Sequence, residues 1–273
     1  MNGTRLAVNF SPQAADLVAS GAITIELFKV PDWPDLIAAA RELRPVYVHF
    51  PNQIGALRER PEVVVAAELM RDTGTVDLNV HCAPSRERFP DIAVGATDAA
   101  SLATVTAALA EDLVPAREAF GSHNVIVENL IYRGEDRGLL RAGVTPEVLG
   151  ELVDGTGCGF LLDVSHARIT AATLGIDPWR YIDSLPVHAL HELHITGVHV
   201  IDGGLRDHLP FQEADWEFLD GVVARVMAGA WPAPSIVAFE YGGVGPVFEW
   251  RSDVDVLAEQ LPRMRDVLAP LMD

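Results

Sequence analysis

Two cysteines in 273 residues, Cys82 and Cys158, cannot build a disulfide framework, and that scarcity fits a reducing compartment. Basic residues are also few: 20 Lys and Arg stand against 39 Asp and Glu, a formal net charge of −19. A nucleic-acid backbone or an anionic membrane needs clustered Lys and Arg, so neither is expected as a partner. No apolar run approaches the ~20 residues of a membrane span, and the opening MNGTRLAVNFSPQ has no basic-then-apolar signal pattern. Walker loops, GxSxG elbows, CxxC pairs and HExxH helices are missing as well. What is there is an acidic chain, 49% hydrophobic and 22% charged, with enough length for a sizeable core. The expected location is the cytoplasm, and the surplus carboxylates suit cations.

Short β-rich runs alternate with helical patterns along the whole chain. Strands are expected at Leu6–Phe10, Ile23–Val30, Pro45–Phe50 and Val76–Cys82, then at Asn124–Leu130, Gly159–Val164, Ala189–Ile195 and Ser235–Tyr241. Helical spacing runs through Ser101–Phe120, Pro146–Asp154, Asp215–Ala228 and Asp253–Leu271. Ser11 or Pro12 and the pair Thr145-Pro146 read as helix starts, and Gly121 and Gly157 as stops. Eight strands, each with its helix, in roughly 250 residues predict an α/β protein, a single (β/α)8 TIM barrel over residues 1–273. An open doubly wound sheet usually carries glycines in its first strand–helix turn, whereas this turn reads NFSPQAA.

Residues two apart on a strand share a face. The last inward position of each expected strand is then Asn9, Glu26, His49, His81, Glu128, Asp163, His194 and Glu240. In a barrel all eight belong to the C-terminal mouth of the strands, where active sites are built. Wet strand ends account for a polar residue or two, but poorly for three His, one Asp and three Glu with no Ser, Thr or Lys. Carboxylates brought beside histidines need a cation to neutralise them, and His with Asp/Glu is the ligand set of Zn, Mn or Fe. His166, three residues past Asp163, and Asp207-His208 in the glycine-containing loop DGGLRDHLP, expected between strand seven and its helix, extend the set. The metal candidates are therefore His49, His81, Glu128, Asp163, His166, His194, Asp207, His208 and Glu240. Nine donors are too many for one ion and suit two or three. Asn9, Glu26, His199 and Arg206 are candidates for substrate contact, while Cys82, of opposite parity to His81, is expected to pack against helices.

This pattern resembles the xylose-isomerase-like barrels, which include sugar epimerases, endonuclease IV and the multinuclear non-haem iron-dependent oxidases. Glu128, Asp163, His194 and Glu240 match the Glu–Asp–His–Glu set of the epimerases. His49, His81 and Asp207-His208 are similar to features of the multinuclear branches, although the two latter residues are adjacent here where those branches have Asp-x-His. The strings Val127-Glu128-Asn129-Leu130, Leu161-Leu162-Asp163-Val164 and Glu192-Leu193-His194-Ile195-Thr196-Gly197 look most like the oxidases.

The resemblance implies two or three iron ions and O2-dependent oxidation of a cysteine-containing peptide or small thiol, often with a peptide-presenting partner protein. It makes Glu128, Glu240 and His166 catalytic candidates and adds Asn129 to the substrate contacts. An alternative is a mononuclear isomerase or epimerase on Mn, Mg or Co, with Glu128 and Glu240 as acid and base. A second is a trinuclear zinc phosphoesterase of the endonuclease IV type, which the net charge opposes for a DNA substrate. A barrel that binds metal or peptide without catalysis is the non-enzymatic reading.

Overall fold

A computed structural model describes residues 3–57, 63–245 and 252–272. The first stretch runs through β1 (Arg5–Asn9), α1 (Pro12–Ala19), β2 (Leu27–Val30), α2 (Pro34–Arg41), β3 (Val46–Val48) and the short β4 (Gln53–Ile54). Next come α3 (Val63–Thr73), β5 (Leu78–Cys82), α4 (Ala99–Phe120), β6 (Val125–Glu128) and α5 (Pro146–Thr156). They are followed by β7 (Gly159–Asp163), α6 (Val164–Leu174), α7 (Pro178–Ile182) and β8 (Leu190–Ile195). The last described elements are β9 (Gly197–Ile201), β10 (Gly204–Leu209), α8 (Glu213–Met227), β11 (Ile236–Phe239) and α9 (Val254–Met272). They divide between two compact units: Phe50–Leu190, and Met1–His49 together with His191–Asp273.

In the unit that carries both ends of the chain, parallel strands run in the order β3-β2-β1-β11-β8. Ala7 stands between Leu27 and Ala238 in register, and with Tyr47 and Ile236 these residues form one buried apolar cluster. β1 and β2 lead into α1 and α2. Ser11 caps α1 by accepting the Ala14 N–H at 3.1 Å, with Pro12 in the first turn where its missing N–H costs nothing.

The unit Phe50–Leu190 has the parallel order β7-β6-β5-β4. Val125, Ile126, Val127, Phe160, Leu161 and Leu162 are all fully buried, as expected where helices cover a parallel strand. Thr145-Pro146 opens α5 and Gly157 closes it in the left-handed region at φ 69°, and Gly121 follows α4. Among the described helices, α4 is the one long and apolar enough to cross a membrane. Its inner face nevertheless carries Asp112, which pairs with both terminal nitrogens of Arg88 and accepts the Gly55 N–H at 2.9 Å. That buried, satisfied ion pair belongs to a packed helix.

Three expectations are corrected. Strand two starts at Leu27 and not at Ile23, because Glu26 turns to the opposite strand end, where it accepts the Leu6 N–H at 3.0 Å and pairs with Arg265 at 2.7 Å. Strand two thus ends inward on Lys29, in register with Asn9 and Tyr47. Strand three stops at Val48, and Phe50 is held instead by the Asn79 side chain, which accepts its N–H at 2.7 Å and donates to its carbonyl at 2.9 Å. The stretch after strand seven is no loop but the antiparallel hairpin β9–β10. Asp202 and Gly203 both have positive φ, 52° and 77°, the conformation that a tight hairpin turn demands.

Truncating a fully buried ring tests this packing. Phe160→Ala is expected to lower unfolding free energy by about 3–5 kcal/mol, read from denaturant midpoints at unchanged slope.

Candidate metal centre

In the unit Phe50–Leu190, β6 and β7 end on Glu128 and Asp163, and the adjacent β5 carries His81 one residue before its end. His81 and Glu128 are register partners, which brings His81 Nε2 within 3.2 Å of Glu128 Oε2. Asp163 ends β7 and caps α6 in one step: its Oδ1 accepts the His166 N–H at 2.8 Å. With no loop between strand and helix, His166 sits one turn in, its Nε2 at 3.4 Å from Asp163 Oδ2 and its Nδ1 at 3.7 Å from Glu128 Oε1. Asn129 braces this corner, donating to the Asp163 carbonyl at 2.9 Å and accepting the Asp163 N–H at 3.0 Å.

The histidine rings share one hydrogen-bonding pattern. His81 Nδ1 lies 2.9 Å from the Asn52 carbonyl, and His166 Nδ1 lies 2.9 Å from the Asn129 carbonyl. A carbonyl oxygen can only accept, so Nδ1 carries a proton, and Nε2 is the ring nitrogen turned toward a carboxylate. An imidazole nitrogen and a carboxylate oxygen 3.2 or 3.4 Å apart are two ligand atoms placed to share one ion. Two ligands at about 2.1 Å from one ion are at most about 4.2 Å apart, and both separations fall inside that limit. Glu128 and Asp163 are 2% and 1% exposed, so water does little to solvate either carboxylate. This donor set fits a divalent ion.

The other unit repeats the pattern from His49, Lys29, Glu192, His194 and Glu240. One ligand atom from each of His49, Glu192 and His194 lies within 4.8 Å of the others, a grouping able to hold an ion. The His49 and His194 rings are 5.0 Å apart at 55°. His194 Nε2 stands 2.6 Å from Glu192 Oε1, and its Nδ1 faces Glu240 Oε1 at 3.1 Å. Here a positive group is already in place: Lys29 Nζ pairs with Glu240 and reaches 3.4 Å from His194 Nδ1. His208 donates Nδ1–H to the Glu240 carbonyl at 2.7 Å, which leaves its Nε2 toward Asp207, 4.0 Å from Oδ2.

The hairpin resolves how adjacent Asp207 and His208 share a neighbourhood. Strand pairing is broken between Arg206 and Leu209, and His208 takes a positive φ of 55°. A bulge with one left-handed residue redirects side chains that strict alternation would send to opposite faces. The unusual backbone conformation is expected at a functional position.

Several expected substrate contacts have other partners. Glu26 lies at the far strand end, as described, and Lys29 takes its place. Asn129 is fully buried and supports Asp163. His199 donates to the Pro210 carbonyl at 2.6 Å and lies 3.4 Å from Asp215, holding the hairpin. Asn9 donates to the Gly242 carbonyl at 3.1 Å, whereas Arg206 is exposed on β10. Lys29 and Glu192 are the residues that sequence reasoning passed over. Glu192 shares the inward parity of His194, and Asp202-Gly203 signalled the hairpin.

Residues 118–267 match the family model described as RiPP precursor modification enzyme MbnB/TglH/ChrH. A UPF0276 protein of Caulobacter vibrioides is 35% identical over 97 residues, 33% of each chain. One of Chromobacterium violaceum is 32% identical over 114 residues, 41% of this chain and 36% of that one. The chain spans about a third of the length of these curated relatives. Among solved structures, a D-tagatose 3-epimerase-like protein aligns at TM-score 0.59 and 16% identity over 98% of this chain and 99% of its own. A xylose isomerase-like TIM barrel/4-hydroxyphenylpyruvate dioxygenase fusion protein aligns at TM-score 0.57 and 15% identity, covering all of this chain and 45% of its own. These likenesses show the fold, the α/β class of the (β/α)8 barrels.

Neither cysteine joins the donor sets in the described residues. Burial pushes the Cys82 thiol up to about 12, which removes it as a nucleophile near neutral pH, and Cys158 is buried and raised too. A thiol reagent at pH 8 is expected to modify neither cysteine in the native protein and both after denaturation. Between the ordinary thiol range and pH 12 the unfolded chain ionises Cys82 while the folded one does not. This group therefore subtracts stability as pH rises through that window, measurable as a falling denaturant midpoint.

Proposed function

The chain belongs to the MbnB/TglH/ChrH family of RiPP precursor modification enzymes, and from that premise we propose an O2-dependent oxidase that uses two or three iron ions to modify a cysteine-containing peptide. The observation that carries the reading is the tautomer pattern. His81 and His166 each donate Nδ1–H to a backbone carbonyl and direct Nε2 at a buried carboxylate, an arrangement organised around a cation. The donors of the two units outnumber what one ion takes. His with carboxylate suits iron, which when bound supplies redox chemistry toward O2 and a thiolate. Oxidation of a thiol releases electrons and protons, and O2 is the acceptor.

The protein's own share of this chemistry is to hold the donors and to shed water. The Glu128 and Asp163 carboxylates and the His81 and His166 rings serve as ligands in one unit; His49, His194 and Glu240, with Asp207 and His208, serve in the other. Glu192 fixes the His194 ring by its 2.6 Å contact, and Asn129 fixes Asp163. Glu128, Glu240 and His166 stay candidates for moving protons between substrate and solvent. A partner protein that presents the peptide, and a cytoplasmic location where substrate thiols stay reduced, complete the proposal.

Elemental analysis of protein made with ample iron and purified without oxygen is expected to find two or three irons per chain. A single Mn, Co or Mg would favour the epimerase reading, and zinc near three the phosphoesterase. Asp163→Ala is expected to release at least one ion and to lower turnover beyond the roughly 10–100-fold typical of losing a supporting residue. Asp163→Asn keeps the capping oxygen of α6 and separates metal loss from helix destabilisation.

The oxidase assignment has its own check in the oxygen dependence. Product formation from a cysteine-containing peptide is expected to stop under argon and resume on aeration, and unchanged anaerobic turnover would rule the oxidase out.

A further inference from the structure

Lys29 is a buried lysine that neither the sequence pattern nor the family match assigns, and its surroundings are those of a cation site. It is 7% exposed, on β2, in register with Asn9 and Tyr47. Its ammonium pairs with the Glu240 carboxylate and lies 3.4 Å from His194 Nδ1, while that nitrogen is 3.1 Å from Glu240 Oε1. The 2.6 Å contact of His194 Nε2 with Glu192 places the ring proton on Nε2, because the carboxylate accepts it. Nδ1 therefore presents its lone pair to Lys29 and Glu240. A ring nitrogen likewise faces a carboxylate oxygen in the unit Phe50–Leu190, at His81 with Glu128 and at His166 with Asp163. At His194 the ammonium occupies the place beside both donors that an ion would take.

From this geometry we infer that Lys29 is a positioning residue that acts as a tethered stand-in for a metal ion. In the metal-free chain the ammonium neutralises Glu240 and keeps His194 Nδ1 and Glu240 Oε1 together. An ion that takes those two donors competes with the ammonium for them. Lys29 thereby stabilises the metal-free fold and weakens cation binding at this one place, which makes loading there reversible. A lysine that merely filled space would leave zinc affinity unchanged when an uncharged side chain of the same length replaces it. The inference rests on the metal reading above and specifies which of its donors is guarded.

The test uses the full chain stripped by dialysis against chelator and titrated with Zn(II) alone against a competing chromophoric chelator. The same samples are melted without metal. Lys29→Met keeps the length of the side chain and removes the charge. It is expected to melt about 5 °C or more below the parent without metal, as a buried carboxylate loses its partner. One class of zinc site is expected to tighten roughly 10-fold or more, the scale of one charge-assisted hydrogen bond no longer displaced. The other sites stay unchanged. Lys29→Arg, which retains a cation, is expected to restore the melting temperature and not to tighten zinc. If Lys29→Met does not fold, Lys29→Gln gives the same readout, because an amide still donates to Glu240 without carrying charge.

Equal or weaker zinc binding in the neutral variants, with the parent binding normally, overturns the role given to Lys29 and leaves the metal reading intact. Absence of zinc binding in the parent overturns both.

Discussion

Buried carboxylate beside histidine is the constraint on which this molecule turns. Glu128, Asp163, Glu192 and Glu240 are each no more than 5% exposed, and an ionised carboxylate cannot stay so dry without positive charge or several donors at hand. The protein meets that demand differently in its two units. Around Glu240 it supplies a lysine. Around Glu128 and Asp163 it supplies imidazoles anchored through Nδ1 to backbone carbonyls, with Nε2 turned to the carboxylates, a donor set that fits a divalent ion. Much of the local backbone serves this arrangement: the loopless passage from β7 into α6, the Asn129 brace and the bulge at His208.

The carbonyl contacts matter as much as the ligands. An imidazole free to rotate or to exchange tautomers is a weak, imprecise donor. One whose Nδ1–H is held by a carbonyl at 2.7 to 2.9 Å is committed in both orientation and proton position. His81, His166 and His208 are all held in this way, each by a carbonyl of a different segment. Metal binding is thereby coupled to the backbone path of those segments, not only to the identity of the histidines.

Much of the chain's architecture is legible in its amino-acid order. Apolar runs at Val125–Val127 and Phe160–Leu162, the start at Thr145-Pro146 and the stop at Gly157 fall where local patterning places them, because backbone preferences and burial agree there. Most of the candidate ligands are legible for the same reason, since parity along a correctly placed strand tells which side chain points inward. Strand two shows the limit. A run reading ITIELFKV is β-prone throughout, but only the last four residues pair, and the shift replaces Glu26 by Lys29. The hairpin escapes a reading by hydrophobic pattern although Asp202-Gly203 is a strong turn signal, because its flanks are too polar to resemble core strands.

Periodicity and chemistry belong to the sequence: alternating strand and helix, and histidines and carboxylates at the strand ends. Both are properties of residues close together in the chain, where dihedral preferences and hydrophobic spacing suffice. Folding in three dimensions settled the rest: which nitrogen of His81, His166 and His208 donates to a carbonyl, which carboxylate a lysine neutralises, and that Glu26 serves the opposite strand end from Lys29. Those outcomes depend on contacts such as Lys29 with Glu240, separated by 211 positions, which no local rule can anticipate. Electrostatic energies fall off with distance in space, not along the chain, so the charge balance of the site is written only in the fold.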